Sequence, residues 1–174
     1  MSAPEFSRRV PLARVGREPL RQEIAASAEE RAALARRLDL VALDNLSATV
    51  ELARQGDGTI LLTAEFAADF VQSCVVTLDP VGGAVAERFA LRYGPPDLEP
   101  DGIADDEDGP AFEPLRGDAI DIGEAVAQEL ALALPPFPRA PGASVEAELG
   151  GAAEAEPEAG PFAALARLAG GGDR

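Results

Sequence analysis

The sequence contains no histidine, no lysine and no tryptophan, and it has only one cysteine and one tyrosine among 174 residues. Without histidine, the most common general base and metal ligand is missing. Without lysine, Schiff-base chemistry and the phosphate-binding lysine of nucleotide loops are excluded. A single cysteine cannot form an intramolecular disulfide, and without imidazoles it cannot complete a zinc site. We therefore expect no metal and no cofactor.

Long apolar runs are also missing. Arginines near the N-terminus interrupt any signal-peptide pattern. No uncharged stretch approaches the roughly 20 residues that a membrane-spanning helix needs. The protein is therefore expected to remain in the cytoplasm, without a membrane partner.

Charge is the most unusual property that is present. There are 31 acidic and 15 basic residues, which gives a net charge of −16. Residues 1–38 hold eight arginines and five glutamates and are net +3, so the rest of the chain carries −19. An acidic surface repels phosphate backbones and attracts basic proteins. The alternative is that the acidity serves solubility alone.

The periodicity of apolar residues predicts a succession of short elements. They are an extended segment over 5–15, a helix over 28–38, strands over 46–53, 60–66, 71–78 and 85–93, and a helix over 122–134. Ser27 with Glu30, and Asp121 with Glu124, match the capping-box pattern at the two helix starts. Four strands joined by short turns predict an antiparallel sheet, with a curl toward a barrel left open. The predicted fold class is α+β.

Residues 1–140 are expected to form one domain. Within it, 97–110 is predicted to be an acidic mobile loop, because residues 97–108 contain seven acids and no base. The spacing of these acids does not match a calcium-binding loop. Residues 141–174 are predicted to be a disordered tail with a short helix near 161–169.

The single cysteine, Cys74, lies within the predicted apolar strand over 71–78. A small buried hydrophobic residue is the interpretation that we favour. A nucleophilic or redox-active thiol is the alternative.

Three stretches of the sequence together resemble a known family. The first reads Q-S-C-V-V-T-L and starts at Gln72; the second starts D-I-G-E at Asp121 and ends L-A-L-P-P-F-P at Pro138; the third reads P-F-A-A-L. In this order and spacing they resemble the YceD-like family of bacterial and plastid proteins, a former domain of unknown function. The motif residues are Gln72, Cys74, Thr77, Leu78, Asp121, Gly123, Glu124, Pro135, Pro138, Pro161 and Phe162.

The resemblance implies a function that composition does not show. The family is associated with the accumulation of 23S ribosomal RNA, and hence with assembly of the large ribosomal subunit. Relatives with a Cys-x-x-Cys pattern at the first stretch could bind a metal, whereas position 77 is threonine in this chain.

Two hypotheses follow for the way in which this function is carried out. In the first, a non-enzymatic factor binds a basic ribosomal protein or an assembly intermediate through the acidic residues Asp105, Asp106, Glu107 and Asp108. In the second, the protein binds 23S rRNA directly through Arg8, Arg9, Arg14, Arg17 and Arg21. An enzyme of unknown activity is a more distant alternative, kept only because carboxylates are numerous.

Overall fold

The computed structural model describes residues 4–98 and 109–145. In this part of the chain, the strands and helices are β1 (Arg9–Pro11), β2 (Leu20–Ala25), α1 (Ala28–Arg37), β3 (Ala42–Arg54), β4 (Ile60–Ser73), β5 (Pro80–Gly94), β6 (Ala111–Pro114), β7 (Ala119–Asp121) and α2 (Ile122–Ala133). Short 3₁₀ turns lie at Leu12–Arg14 and Pro96–Leu98. Contacts between Cα atoms place Met1–Ala140 in one unit and Pro141–Arg174 in another. The named elements all belong to the first unit.

The strands form one large and one small sheet. The large sheet has the order β2-β3-β4-β5-β6, with β6 parallel to β5 and the other neighbours antiparallel. The small sheet pairs β1 with β7, so the start of the domain lies beside the start of α2. The α+β class is confirmed. The large sheet is open over the described residues, with β2 and β6 at its edges, so the alternative of a barrel is wrong, as is a purely antiparallel sheet.

The core lies on one face of the large sheet. Alternate residues of β3 and β4, such as Leu46, Leu52 and Leu62, are at most 1% exposed because successive strand residues point to opposite faces. Helix α1 packs on β3, and α2 packs on β1, β4 and β5. The core face of α2 carries Ile122, Val126 and Leu130, whose spacing places them on one side of a helix. Neither described helix has the length and apolar character to cross a bilayer.

Both predicted helices are confirmed within a residue at each end. The capping box of α1 is complete, since the Ser27 hydroxyl accepts from the Glu30 N–H at 3.2 Å and the Glu30 carboxylate accepts from the Ser27 N–H at 2.8 Å. Helix α2 ends at Ala133, before the extended residue Leu134 and the two prolines that follow it.

The predicted strand over 60–66 is confirmed but too short, and the separate strand over 71–78 is wrong. A single strand, β4, continues to Ser73, and residues 74–79 form the turn into β5. The inward alternation continues in phase through Ala68 and Phe70, both buried. The apolar residues of 71–78 suggest a separate strand, but residues 74–79 form a tight turn.

The acidic loop predicted over 97–110 is described only at its ends. Asp97 lies in a 3₁₀ turn, and β6 begins at Ala111. Several predicted sites lie outside the described residues: Asp105, Asp106, Glu107 and Asp108 of the loop, and Pro161 and Phe162 of the tail.

Candidate functional site

The first motif stretch forms the turn between β4 and β5. The Cys74 N–H donates to the Asp79 carbonyl oxygen at 2.8 Å, and the Leu78 N–H donates to the Cys74 carbonyl oxygen at 3.0 Å. These two bonds stabilise a turn over residues 74–79. Leu78 has a φ of 64°, in the left-handed region that leucine rarely adopts, and its side chain is 77% exposed.

Cys74 is buried, as expected, but its surroundings differ from the apolar strand that the sequence predicted. Its Sγ accepts from the N–H groups of Val76, Thr77 and Ala140 at 3.5, 3.4 and 3.3 Å. The hydroxyl of Thr77 and the N–H of Ala140 are the main causes that lower the pKa of the Cys74 thiol to about 7. The thiol thus organises three backbone groups, which explains why a polarisable acceptor stands here.

The second motif stretch lies against this turn. The Val75 N–H donates to the Pro138 carbonyl oxygen at 2.9 Å, and the Gln72 side chain donates to the Pro135 carbonyl oxygen at 3.0 Å. With the bond from Ala140, just after the second stretch, to Cys74, three hydrogen bonds join residues 72–75 to residues 135–140. Residues 72–79 and 134–140 therefore form one structure, which we call the motif end.

Apolar side chains are exposed at the motif end. Val75 is 47% exposed and Phe137 76%, and Leu132, beside the motif end in the last turn of α2, is 79% exposed. A cleft of about 540 Å³ lies among Leu38, Gln72, Val75, Leu132, Pro135 and Pro138. Sequence reasoning missed this surface. The available signal was that Leu132 is out of phase with the buried face of α2 and that Phe137 stands between prolines.

Asp121 joins the start of the domain to α2. Its carboxylate accepts from the N–H groups of Gly123 and Glu124 at 3.2 Å each, which caps the helix. It also accepts from the Arg8 N–H at 2.7 Å and from the Ser7 hydroxyl at 2.5 Å. One side chain therefore holds two segments that are more than a hundred residues apart in sequence.

Gly123 and Glu124 of the D-I-G-E stretch have separate roles. A Cβ on Gly123 would lie 2.6 Å from the Phe6 carbonyl oxygen, so only glycine permits this close approach. The predicted capping box at Glu124 is only half right, because Asp121 caps but the Glu124 carboxylate binds Arg37 at 2.7 and 2.9 Å. The ion pair to α1 replaces the reciprocal bond of the box.

The arginines of the N-terminal region are in different environments. Arg8 forms a bidentate ion pair with Glu30 at 2.6 and 2.9 Å and stacks over Phe6 at 4.7 Å. Arg9 lies 3.6 Å from the exposed Asp118. The remaining members of the predicted RNA-binding set, Arg14, Arg17 and Arg21, are exposed along the chain from the first 3₁₀ turn to β2. Arg8 is therefore engaged within the fold, whereas the other four side chains are exposed.

The ion pair between Arg8 and Glu30 predicts a pH effect. The Arg8 guanidinium is the main cause that lowers the pKa of Glu30 from its ordinary value of 4.5 to about 2. A carboxylate with a lowered pKa stabilises the fold above its ordinary pKa and loses that contribution as the pH falls through the folded value. We expect Glu30→Gln to be less stable than wild type at pH 6.

That difference in the free energy of unfolding should shrink between pH 5 and pH 2. Urea unfolding at several pH values measures it. Glu29→Gln is the control, since Glu29 is an exposed acid in the same helical turn. A difference that stayed constant down to pH 2 would contradict the ion-pair explanation.

Metal ligands are not assembled in the described part of the chain. No group of three or more histidine, cysteine or acidic side chains is arranged there to hold an ion. Five of the nine motif residues that the structure describes position other parts of the chain: Gln72, Cys74, Thr77, Asp121 and Gly123.

The fold is a small α+β domain. Its motif residues make contacts within the domain, and apolar side chains are exposed at the motif end. Comparison with family models matches residues 62–169 to "Large ribosomal RNA subunit accumulation protein YceD". The match covers more than half of the chain, so the protein belongs to this family, and the resemblance predicted from the three stretches is confirmed. No curated protein and no solved structure matches the chain.

Proposed function

We propose that the protein is a cytoplasmic, non-enzymatic factor that supports 23S rRNA accumulation and large-subunit assembly by binding a basic ribosomal protein or an assembly intermediate. Membership of the YceD family supports the ribosomal role. The mode of action is proposed from the distribution of charge.

The main support for this mode of action is that ion pairs within the fold neutralise part of the positive charge of the N-terminal region. Arg8 is bound to Glu30, and Arg37 is bound to both Glu5 and Glu124. The rest of the chain carries −19, which opposes the approach of RNA and favours a cationic protein. In this proposal Asp105, Asp106, Glu107 and Asp108 compete with rRNA for the basic partner until assembly releases it.

Direct binding to 23S rRNA is the second candidate. It is favoured by the exposure of Arg9, Arg14, Arg17 and Arg21. These side chains can reach a phosphate backbone without breaking a buried contact.

One experiment separates the two candidates. We expect the fourfold variant D105N/D106N/E107Q/D108N to bind proteins extracted from purified large subunits about tenfold more weakly, since removing rim charges slows electrostatic association. The matched variant R9A/R14A/R17A/R21A also changes four charges and should bind within about twofold of wild type. Arg8 is left intact because its loss would break the ion pair with Glu30.

Pull-downs with and without RNase, followed by titration of the retained protein, provide the measurement. If the arginine variant loses binding and the acidic variant does not, the proposal is wrong and the RNA candidate stands. In that case the salt dependence of RNA binding should flatten by about 0.7 per single-strand phosphate contact removed.

A further inference from the structure

Strand β5 is paired along only part of one side. It pairs with β4 from Pro80 to Tyr93, whereas β6 reaches only Leu91–Gly94 on the other side. Over the described residues, no hydrogen bond is made from that side by the backbone between Val81 and Arg88. We call this stretch, on the side away from β4, the free edge.

The hydrogen-bond pattern shows which backbone groups point outward. The Cys74 N–H donates to the Asp79 carbonyl oxygen, so this pair begins the alternation between bonded and non-bonded pairs of an antiparallel ladder. This alternation continues along the register. The backbone N–H and carbonyl groups that point toward β4 are therefore those of Val81, Gly83, Val85 and Glu87. The N–H and carbonyl groups of the residues between them point outward: Gly82, Ala84, Ala86 and Arg88.

The free edge has few of the features that usually prevent an edge strand from pairing with a further strand. Its register with β4 is continuous, without a bulge, and the six residues from Val81 to Ala86 are uncharged. Gly82, Ala84 and Ala86 are exposed and small, so an added strand would meet little steric hindrance. Unpaired backbone of this kind is a template for a further strand.

The core-facing side beside this edge is negatively charged. Glu87 is exposed, and burial together with the carboxylates of Glu87 and Glu113 raises the pKa of Glu129. None of these three acids takes part in an ion pair among the described residues. An inward-facing charge on an edge strand discourages pairing with an apolar strand. A lysine or arginine on the added strand would remove that penalty.

We infer that the free edge of β5 binds an extended, basic segment of a partner protein as an additional strand, with a cationic side chain placed against Glu87 and Glu129. The identity of the partner as a ribosomal protein rests on the function proposed above. A second copy of the chain fits less well, because it would bring its own −16 charge and its own Glu87 to the same edge.

Hydrogen exchange of the isolated full chain tests the free edge first. The amides of Gly82, Ala84, Ala86 and Arg88 should exchange rapidly, and those of Gly83, Val85 and Glu87 slowly. A synthetic peptide of about ten alternating threonine and lysine residues should then slow the first group at least tenfold. The same peptide methylated on alternate backbone nitrogens, and a threonine–glutamate peptide, should not.

Variants test the edge with the large-subunit proteins as well. Ala86→Pro removes an outward N–H and fills the space of an added strand, while leaving the ladder to β4 intact. It should weaken binding about tenfold, whereas Ala86→Thr keeps the N–H and should bind within about twofold. E87Q/E129Q should weaken binding more than E23Q/E51Q, which makes the same change of charge on the opposite face.

The outcomes separate this inference from the proposed function. Protection of the outward amides in the isolated chain, or equal effects of the normal and methylated peptides, would overturn the inference. Equal binding of large-subunit proteins to wild type and Ala86→Pro would overturn it too, while leaving the proposed function in place. If the threonine–lysine peptide binds and no large-subunit protein does, the inference stands and the proposed function fails.

Discussion

Gly123→Ala is expected to lower the free energy of unfolding by about 3 kcal/mol. The new Cβ would lie 2.6 Å from the carbonyl oxygen of Phe6 and 3.0 Å from the backbone nitrogen of Arg8. Both are backbone atoms, so no side chain can rotate away. The N-terminal segment would have to move off α2, and the buried side chain of Phe6 would move with it.

The expected loss of stability is opposite in sign to the effect that helix propensity predicts for a change from glycine to alanine. Inside a helix, alanine is normally about 1 kcal/mol more favourable than glycine. Gly16→Ala is the matched control, since a Cβ there meets nothing within 4 Å. Urea unfolding of both variants measures the difference. A Gly123→Ala protein as stable as wild type would mean that the N-terminal segment does not lie against α2.

Asp121→Ala should cost a similar amount, about 2–4 kcal/mol. The change removes the cap of α2, which contributes about 1 kcal/mol. It also leaves the Arg8 N–H and the Ser7 hydroxyl without their acceptor, at about 1–3 kcal/mol for a donor shielded from water. Asp121→Asn keeps one acceptor oxygen and should lose roughly half as much.

Thermal unfolding of the two variants beside Asp118→Ala provides the measurement. Asp118 is also an acid near the β1–β7 pair, but its side chain is 96% exposed, and the change should stay within about 0.5 kcal/mol. Equal losses for Asp118→Ala and Asp121→Ala would contradict the role of Asp121 in joining β1 to α2.

Sequence patterns predicted the elements whose signals are local. The capping residues Ser27 and Asp121 marked both helix starts, and the alternation over 46–53 and 60–66 predicted the two neighbouring strands β3 and β4. These features depend on neighbours within a few residues. The sequence therefore contains enough information to place them.

Elements that depend on distant partners were not predicted. In β2 the residues opposite the buried side chains of β3 are Leu20, Gln22 and Ile24. The polar Gln22 interrupts the apolar alternation, so the strand has only a weak signal of its own and depends on its pairing with β3. The strand β6 has four residues and pairs in parallel with the end of β5. A parallel neighbour after a long connection leaves no trace in local periodicity.

The candidate site was predicted only as a set of residues. The resemblance named Gln72 and Pro135, but nothing in either stretch shows that one donates a hydrogen bond to the other. Likewise, the sequence places Cys74 in an apolar run, and only the tertiary structure brings the Ala140 N–H to its sulfur. The free edge of β5 was missed because it is defined by where β6 begins.

The hydrogen bonds from Ser7 and Arg8 to Asp121 also determine when the domain can close during translation. These partners are 114 and 113 residues apart, so the N-terminal segment leaves the ribosome long before its acceptor exists. At translation rates of about 5–20 residues per second, the wait is roughly 6–23 seconds. During that interval Phe6, which is fully buried in the finished domain, lacks its close backbone contact with Gly123. Closure of the domain is therefore a late event in translation, triggered by the arrival of α2, and a nascent chain stopped before residue 121 should remain open at its N-terminus.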